Sequence, residues 1–246
     1  MTHPLTVVKA CGPKLVPFFK TCAIFFVLYG TGSKLESIFY CLFKCLPIIS
    51  LIVFVLLHGM DLSSDHYAYS RKITIGLIFS MLGDAFLVWK NVGYFIHGLI
   101  AFAIAQGCYA SAFGLTPHFN LPVGVACYLL GLCLYWFCLP GFEGALVYLA
   151  LVYCLLIMTM LWRATARLGP LKAFWPWTRI SSCLGAAAFV LSDAIIAIDK
   201  FVAPIPYSQP LIMITYYFAQ LGIAMSVVDS HVDSLLRPDQ LLKKRD

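Results

Sequence analysis

The chain has 246 residues, of which 61% are hydrophobic and only 11% are charged, and its mean hydropathy is +0.89. This composition excludes an ordinary soluble domain and is typical of a polytopic membrane protein. The net charge of +6 does not predict a nucleic-acid partner, because the basic residues follow a membrane topology, as described below.

Eight apolar segments follow one another, and each approaches the ~20 residues that a helix needs to cross a ~30 Å hydrocarbon core. They cover residues 15–31, 39–57, 73–89, 94–113, 121–139, 144–162, 181–198 and 211–228. The sequence therefore predicts an all-α polytopic membrane protein with eight transmembrane helices. Residues 1–14 are expected to form an N-terminal tail, residues 15–228 the membrane domain, and residues 229–246 a C-terminal tail.

The basic residues predict the orientation of these helices. With eight spans, both tails and every second loop share one side of the bilayer, and that side carries 12 of the 17 Lys and Arg residues. Three lie on the opposite side, and Lys20 and Lys44 lie within apolar segments. Basic residues are enriched in cytosolic loops, so both termini are predicted to be cytosolic.

The sequence ends in Lys-Lys-Arg-Asp, with Lys244 and Lys243 at the third and fourth positions counted from the end. This pattern resembles the dilysine signal that returns membrane proteins to the endoplasmic reticulum. The competing interpretation is a charge cluster at the membrane surface. We expect location in the endoplasmic reticulum membrane.

Two apolar segments contain a carboxylate in matching surroundings. Phe79–Leu87 has the sequence FSMLGDAFL and Phe189–Ala197 has FVLSDAIIA, which places Asp84 and Asp193 109 residues apart. An aspartate in hydrocarbon costs at least ~2.5–3.5 kcal/mol on insertion scales, so such residues usually face a cavity or a partner. Lys44 enters the membrane from the opposite side and lies in the same outer half as the two aspartates. It either pairs with an acid or a lipid phosphate, or extends to the interface.

The helices after the two aspartates also match, because Gln106 and Gln220 are 114 residues apart. Tyr109 and Tyr217 each lie three residues from one of these glutamines and share its helix face. Together with the aspartates, this predicts a parallel four-plus-four internal duplication. The competing interpretation of these polar residues is ordinary hydrogen bonding between helices.

Two carboxylates in one low-dielectric site do not both ionise easily, which predicts one protonated acid beside one carboxylate. Such a pair suits hydrolysis of a lipid or peptide bond, or proton-coupled transport of a lipid or small molecule. An intramembrane aspartyl protease is disfavoured, since Asp84 lacks the first glycine of a Gly-x-Gly-Asp motif and no Pro-Ala-Leu occurs. The dispersed histidines disfavour a zinc amidohydrolase.

The chain resembles the lysoplasmalogenase (YhhN-type) family, in its vertebrate transmembrane branch, over nearly its whole length. The segments that carry the resemblance are Phe79–Leu87, Gly98-x-x-x-Phe102 before Gln106, Phe189–Ala197 with Lys200-Phe201, the YYFAQ of the last segment, residues 12–20 and residues 44–47. The resemblance leads us to expect histidine at position 106, but this chain has Gln106. Glutamine in place of histidine argues against acid–base chemistry at this position.

The resemblance implies an enzyme that hydrolyses the vinyl ether bond of lysoplasmalogens to a fatty aldehyde and glycerophosphoethanolamine or glycerophosphocholine. Its partners would be the lysophospholipid substrate and the bilayer. A homodimer is also possible. One of Asp84 and Asp193 would protonate the alkene carbon while the other stabilises the cation and activates water. The residues expected to bind or orient the substrate are Lys44, Gln106, Tyr109, Tyr217 and Gln220. No metal or organic cofactor is required.

Overall fold

The computed structural model describes residues 4–30, 36–58, 67–114, 120–168 and 177–228. In these ranges the chain forms eight α-helices, two short 3-10 turns and no strand. The helices are α1 (Pro4–Tyr29), α2 (Ile38–Leu57), α3 (Ala68–Val88), α4 (Phe95–Phe113), α5 (Leu121–Cys138), α6 (Leu146–Ala166), α7 (Trp177–Phe201) and α8 (Ser208–Met225). The 3-10 turns are Lys90–Val92 and Leu139–Gly141.

Six of these helices are long and apolar enough to cross a membrane, namely α1 from Cys11 onward, α2, α4, α5, α6 and α7. The prediction of an all-helical, multi-pass membrane protein is therefore confirmed. The other two helices, α3 and α8, carry more polar residues. Some of these are buried, since Ser80 and Asp84 on α3 and Gln220 on α8 are at most 2% exposed. Each of the eight predicted apolar segments overlaps one of the eight described helices, although α1 begins well before its predicted segment.

The helix packing forms a ring. Each of α2, α3, α4, α6, α7 and α8 packs against the next in that order, and α8 packs back against α2. Helix α1 lies against α2, and α5 lies against α6. The polar residues predicted from the sequence lie on helices of this ring.

Two helix contacts depend on glycine. Gly185 and Gly222 face each other between α7 and α8, where a Cβ on Gly222 would lie 2.7 Å from the carbonyl oxygen of Ser181. The Ser181 hydroxyl donates a hydrogen bond of 2.8 Å to the carbonyl of Gly222. In the turn between α5 and α6, a Cβ on Gly141 would collide with the backbone of Phe201. Small residues at such positions allow close backbone approach.

Basic side chains donate hydrogen bonds to carbonyls at the C-terminal ends of helices at one end of the bundle. Lys14 donates to the carbonyl of Leu57 at the end of α2, at 3.1 Å. Arg163 donates through Nε to the carbonyl of Gly114 after α4, at 2.6 Å. The last carbonyls of a helix have no intrahelical partner, and cations near them also interact favourably with the helix dipole. These contacts give the basic residues of that end a structural role.

Candidate active site

Asp84 lies in a buried ion pair where α2, α3 and α8 meet. The Lys44 ammonium is 3.0 Å from Oδ1 of Asp84, and the Tyr216 hydroxyl donates to Oδ2 at 2.6 Å. Lys44 and Asp84 are 6% and 2% exposed. Of the alternatives for Lys44, the structure shows the contact with an acid, because the ammonium group lies at Asp84 and does not extend to the interface. An ion pair of this kind stabilises the ionised carboxylate.

The position of this ion pair follows from the antiparallel packing of α2 on α3. Lys44 lies close to the start of α2 and Asp84 close to the end of α3, so the two side chains reach the same level. Pro47 removes one backbone donor from α2 just beyond Lys44. The Tyr217 hydroxyl donates to the Lys44 carbonyl at 2.9 Å, which ties this part of α2 to α8.

A second buried network joins α3, α4 and α8. The Tyr109 hydroxyl donates to Oε1 of Gln220 at 2.8 Å and lies 3.2 Å from Oγ of Ser80. The Gln220 amide also lies beside Tyr216, the residue that binds Asp84. Tyr109 and Gln220 therefore support the surroundings of the ion pair, and they line neither of the cavities described below.

Asp193 lies in a different environment, at an apolar cavity of about 120 Å³ between α4, α5, α6 and α7. The Tyr153 hydroxyl donates a hydrogen bond to Oδ2 of Asp193. No other residue in the described ranges bonds to this carboxyl, and no described cation pairs with it. The remaining lining is mostly aliphatic and aromatic and includes Phe102, Ile157 and Val190.

Gln106 lies fully buried on α4 beside the Tyr153 hydroxyl. Neither its amide nitrogen nor its amide oxygen forms a hydrogen bond with the part of the chain that the structure describes. Leaving a buried polar group unsatisfied costs roughly 1–3 kcal/mol, so such groups call for an explanation. This amide has both a donor and an acceptor available next to the Tyr153–Asp193 pair.

The two aspartates belong to neighbouring but separate networks. Their carboxyls interact electrostatically, but no hydrogen bond joins them among the described contacts. The rings of Phe102, Phe189 and Tyr216 pack edge to face at 5.6–6.1 Å between centroids and link the ion pair to the cavity wall. The protonated acid and the carboxylate that the sequence predicts are therefore not hydrogen-bonded to each other among the described contacts.

A second, polar pocket of about 70 Å³ adjoins the apolar cavity, since Leu87, Phe95 and Ile196 line both. It lies at the end of the bundle opposite to Lys14 and Arg163. Its polar lining residues are Tyr29, Glu36, Tyr40, Lys44, Lys90, Asn91 and Gln209. The two spaces together have an apolar part beside Asp193 and a charged part beside Lys44.

Comparison with known proteins assigns the chain to a family. The YhhN family matches residues 39–227, which include every helix of the ring. The chain belongs to the YhhN family. No solved structure matches it significantly.

Relatives of this YhhN chain include proteins that are named lysoplasmalogenase. It is 48% identical to lysoplasmalogenase TMEM86A of Bos taurus over 231 residues, 94% of this chain and 95% of the relative. It is 48% identical to lysoplasmalogenase TMEM86A of Homo sapiens, with the same coverage. It is 39% identical to lysoplasmalogenase TMEM86B of Sus scrofa over 89% of this chain and 88% of the relative.

The sequence patterns do not identify two residues of this YhhN site, Tyr216 and Tyr153. Each is the phenol that donates to one of the aspartates. The available signal was a tyrosine near the middle of an apolar helix, because a buried phenol needs a hydrogen-bond partner.

Proposed function

We propose that this YhhN-family chain is a lysoplasmalogenase. It would hydrolyse the vinyl ether bond of lysoplasmalogens to a fatty aldehyde and glycerophosphoethanolamine or glycerophosphocholine. Family membership and the names of relatives with 48% identity over 94% of the chain support this activity. The observation that carries the proposal is the Asp193–Tyr153 pair at an apolar cavity that adjoins a charged pocket.

The two adjoining spaces suit an amphiphile with one hydrocarbon chain. The aliphatic and aromatic walls of the cavity between α4 and α7 would hold the alkenyl chain, and the charged pocket would face the polar end of the lipid. Burial of apolar surface contributes most of the binding free energy at such sites, and a few polar groups fix the orientation. The vinyl ether joins the two parts of the lipid, so it would lie near Asp193.

Asp193 is the group best suited to act as general acid. Its carboxyl lies among apolar side chains with no described cation beside it, and such surroundings favour the neutral acid. Proton transfer from this carboxyl to the alkene carbon distal to the ether oxygen would form an oxocarbenium ion. Asp193 would then be a carboxylate beside the cation that it created.

Water completes the reaction without a change of oxidation state. One water molecule adds to the oxocarbenium carbon, and its proton returns to Asp193. The resulting hemiacetal collapses to the aldehyde and the glycerophospho-alcohol. The Gln106 amide, which has unused donor and acceptor atoms beside Tyr153, would orient this water. This assigns Gln106 a positioning role that does not require histidine chemistry.

Asp84 would contribute as a fixed anion. The Lys44 ion pair and the Tyr216 hydrogen bond favour its ionised form, and its charge acts on the Asp193 carboxyl. The negative charge of Asp84 would also stabilise a positive charge that develops in the cavity. Tyr109, Tyr217 and Gln220 would hold this network in position through their buried hydrogen bonds. The two aspartates would therefore have unequal roles.

We infer that all eight helices cross the membrane and arose by duplication of four. The packing supports this, because the ring of helices matches itself when each helix is replaced by the one four places later. Thus the contact of α3 with α4 corresponds to that of α7 with α8, and α2 with α8 corresponds to α6 with α4. Asp84 and Asp193 each lie 16 residues beyond the first residue of their helices, α3 and α7.

The orientation with both termini in the cytosol rests on the excess of Lys and Arg on one side. Location in the endoplasmic reticulum depends on Lys243 and Lys244, which lie outside the described residues, and it stays a prediction. The division into tails and membrane domain and a homodimer also stay predictions. The described helix α1 begins at Pro4, within the predicted tail, although its apolar part begins at Cys11.

The activity is tested with purified protein in detergent and lysoplasmenylethanolamine. We expect equal amounts of fatty aldehyde and glycerophosphoethanolamine without added metal. In D₂O the aldehyde should gain one deuterium at carbon 2, because the alkene carbon is the site of protonation. Absence of aldehyde from a folded, lipid-binding protein would contradict the proposal. Flux of lysolipid across liposomes without product would instead indicate a transporter.

A further inference from the structure

The polar pocket beside the apolar cavity contains charges of both signs. Lys90 follows the end of α3, and Glu36 precedes the start of α2. Lys44 lies at the inner side of the pocket, where its ammonium is engaged by Asp84. The charged groups in this pocket that are not part of that buried ion pair are therefore one lysine and one glutamate.

Hydrogen bonds between side chains hold the walls of this pocket. Asn91 donates to Oε1 of Glu36 at 3.0 Å, and Gln209 donates to the Tyr40 hydroxyl at 2.6 Å. The rings of Tyr29 and Tyr40 contact each other edge to face, with centroids 4.9 Å apart. These contacts link the ends of α1, α2 and α8 to the 3-10 turn that follows α3. The pocket is thus built from several elements and is not a gap between two loops.

We propose that this pocket is a subsite for a zwitterionic phospholipid headgroup, with the phosphate at Lys90 and the ammonium group at Glu36. Such a headgroup carries a phosphate and an ammonium group on one short linker. The two groups match the lysine and the carboxylate, respectively, in this small pocket. The faces of Tyr29 and Tyr40 would add cation–π attraction to the ammonium group. The inference rests on the proposed function, since it assigns the polar end of the same lipid whose alkenyl chain occupies the cavity.

The shared lining of the two spaces sets the geometry of this assignment. Leu87, Phe95 and Ile196 line both, so a lipid with its headgroup in the pocket would have its chain at the wall shared with the cavity beside Asp193. A headgroup at the opposite end of the bundle would have to reach Asp193 from the side of Lys14 and Arg163, away from this pocket. The pocket therefore specifies both headgroup charge and direction of approach.

The test measures binding of two ether lysolipids that lack the vinyl bond and are not hydrolysed. One carries phosphoethanolamine and the other a phosphate monoester. Lys90→Gln should weaken binding of both lipids about tenfold, because both lose the phosphate contact. Glu36→Gln should weaken only the phosphoethanolamine lipid, and it should leave or strengthen binding of the phosphate monoester, from which it removes a repulsive charge.

Lys200→Gln is the matched control. Lys200 is exposed at the same end of the bundle, with its ammonium 4.7 Å from the centre of the Phe95 ring, but it lines neither space. Its loss should change binding less than twofold. Thermal unfolding establishes that each variant is folded. Wild-type affinity for both lipids in Lys90→Gln and Glu36→Gln would overturn the headgroup assignment, whatever the turnover of the wild-type protein. Absence of turnover with selective binding intact would contradict only the proposed function.

Discussion

The Lys44–Asp84 pair places two opposite charges in the protein interior, where Lys44 is 6% exposed and Asp84 is 2% exposed. Removing one member leaves an uncompensated buried charge, which typically costs 3–5 kcal/mol. Tyr216 donates to the same carboxylate, but a phenol supplies no positive charge. At the scale of single residues, the stability of this region therefore depends on keeping the pair complete or neutral.

Lys44→Met is accordingly expected to lower the thermal unfolding temperature strongly. Addition of Asp84→Asn to that variant should recover part of the loss, because the unpaired negative charge is then removed. Lys72→Met serves as control, since Lys72 is exposed and donates to the Ser111 carbonyl. Thermal unfolding in detergent measures all three variants. Unfolding of Lys44→Met at the wild-type temperature would contradict the importance of the ion pair.

Tyr153→Phe removes the hydroxyl that donates to Asp193 and keeps the ring. We expect kcat to fall by about 10²-fold, a typical effect of losing a positioned polar group in acid–base chemistry, with little change in KM. Tyr128→Phe is the matched control, because its hydroxyl bonds to Thr159 between α5 and α6, outside the cavity lining. Equal kcat values for the two variants would show that the Tyr153 hydroxyl has no part in catalysis.

At the scale of helices, the contact between α7 and α8 positions Tyr216 and Asp193 relative to each other. Gly222→Ala should separate these helices, since its Cβ would lie 2.7 Å from the Ser181 carbonyl oxygen and 2.9 Å from Cα of Gly185. Overpacking of this kind costs typically 1–3 kcal/mol, so both unfolding temperature and kcat should decrease.

Gly107→Ala is the matched control for that variant. Gly107 lies inside α4, and a Cβ there would meet no atom within 4 Å. Replacement of a helical glycine by alanine is neutral or stabilising where space permits. Parallel unfolding and turnover measurements distinguish the two cases. A Gly222→Ala protein that behaves like Gly107→Ala would show that the close approach of α7 and α8 is not required.

The cavity between α4 and α7 should also determine which alkenyl chains are accepted. Ala197→Leu adds side-chain volume to a residue that lines the cavity one helical turn beyond Asp193. It should raise KM more for long-chain than for short-chain substrates. Ala187→Leu, on the exposed face of the same helix, should leave this ratio unchanged. An unaltered chain-length preference in Ala197→Leu would exclude this cavity as the binding site for the chain.

The helices were predictable from the sequence because apolar segments of about 20 residues have few alternatives in a membrane. Depth in the membrane predicted that Lys44 could meet Asp84, but it did not decide between this contact and extension of Lys44 to the interface. The Tyr153–Asp193 contact was not predicted, because it depends on α6 packing between α4 and α7. Hydropathy places a residue along a helix but does not identify the helix that it faces. The same limit applies to Gln106, whose position beside the Tyr153 hydroxyl was not predicted.

For the whole molecule, the proposed duplication would give two similar halves different chemical tasks. In one half the aspartate is neutralised by Lys44, and in the other it is left at a cavity with a phenol. Internal repeats often place a binding site at the interface of their halves, and the electrostatic interaction between the two carboxyls crosses this interface. Among the described residues, a cation pairs with Asp84 and none pairs with Asp193, and this difference distinguishes the two acids.

The orientation of this assembly has a direct test. A C-terminal epitope tag should be accessible to antibody after selective permeabilisation of the plasma membrane, because the basic end of the bundle is predicted to face the cytosol. A tag in the loop between α1 and α2, near Glu36, should be protected until internal membranes are opened. The reverse pattern would contradict the predicted topology and place the polar pocket on the cytosolic side.

The central claim is that the Asp193 carboxyl at the apolar cavity protonates the vinyl ether. Its most direct test is the rate of aldehyde release by purified Asp193→Asn, compared with the wild-type protein and with Asp84→Asn under saturating lysoplasmenylethanolamine. An amide is isosteric with the acid but does not donate a proton of comparable acidity. We expect Asp193→Asn to remain folded and to lose at least ~10³-fold in kcat, and Asp84→Asn to lose less. Turnover of Asp193→Asn close to that of the wild-type protein would contradict the account.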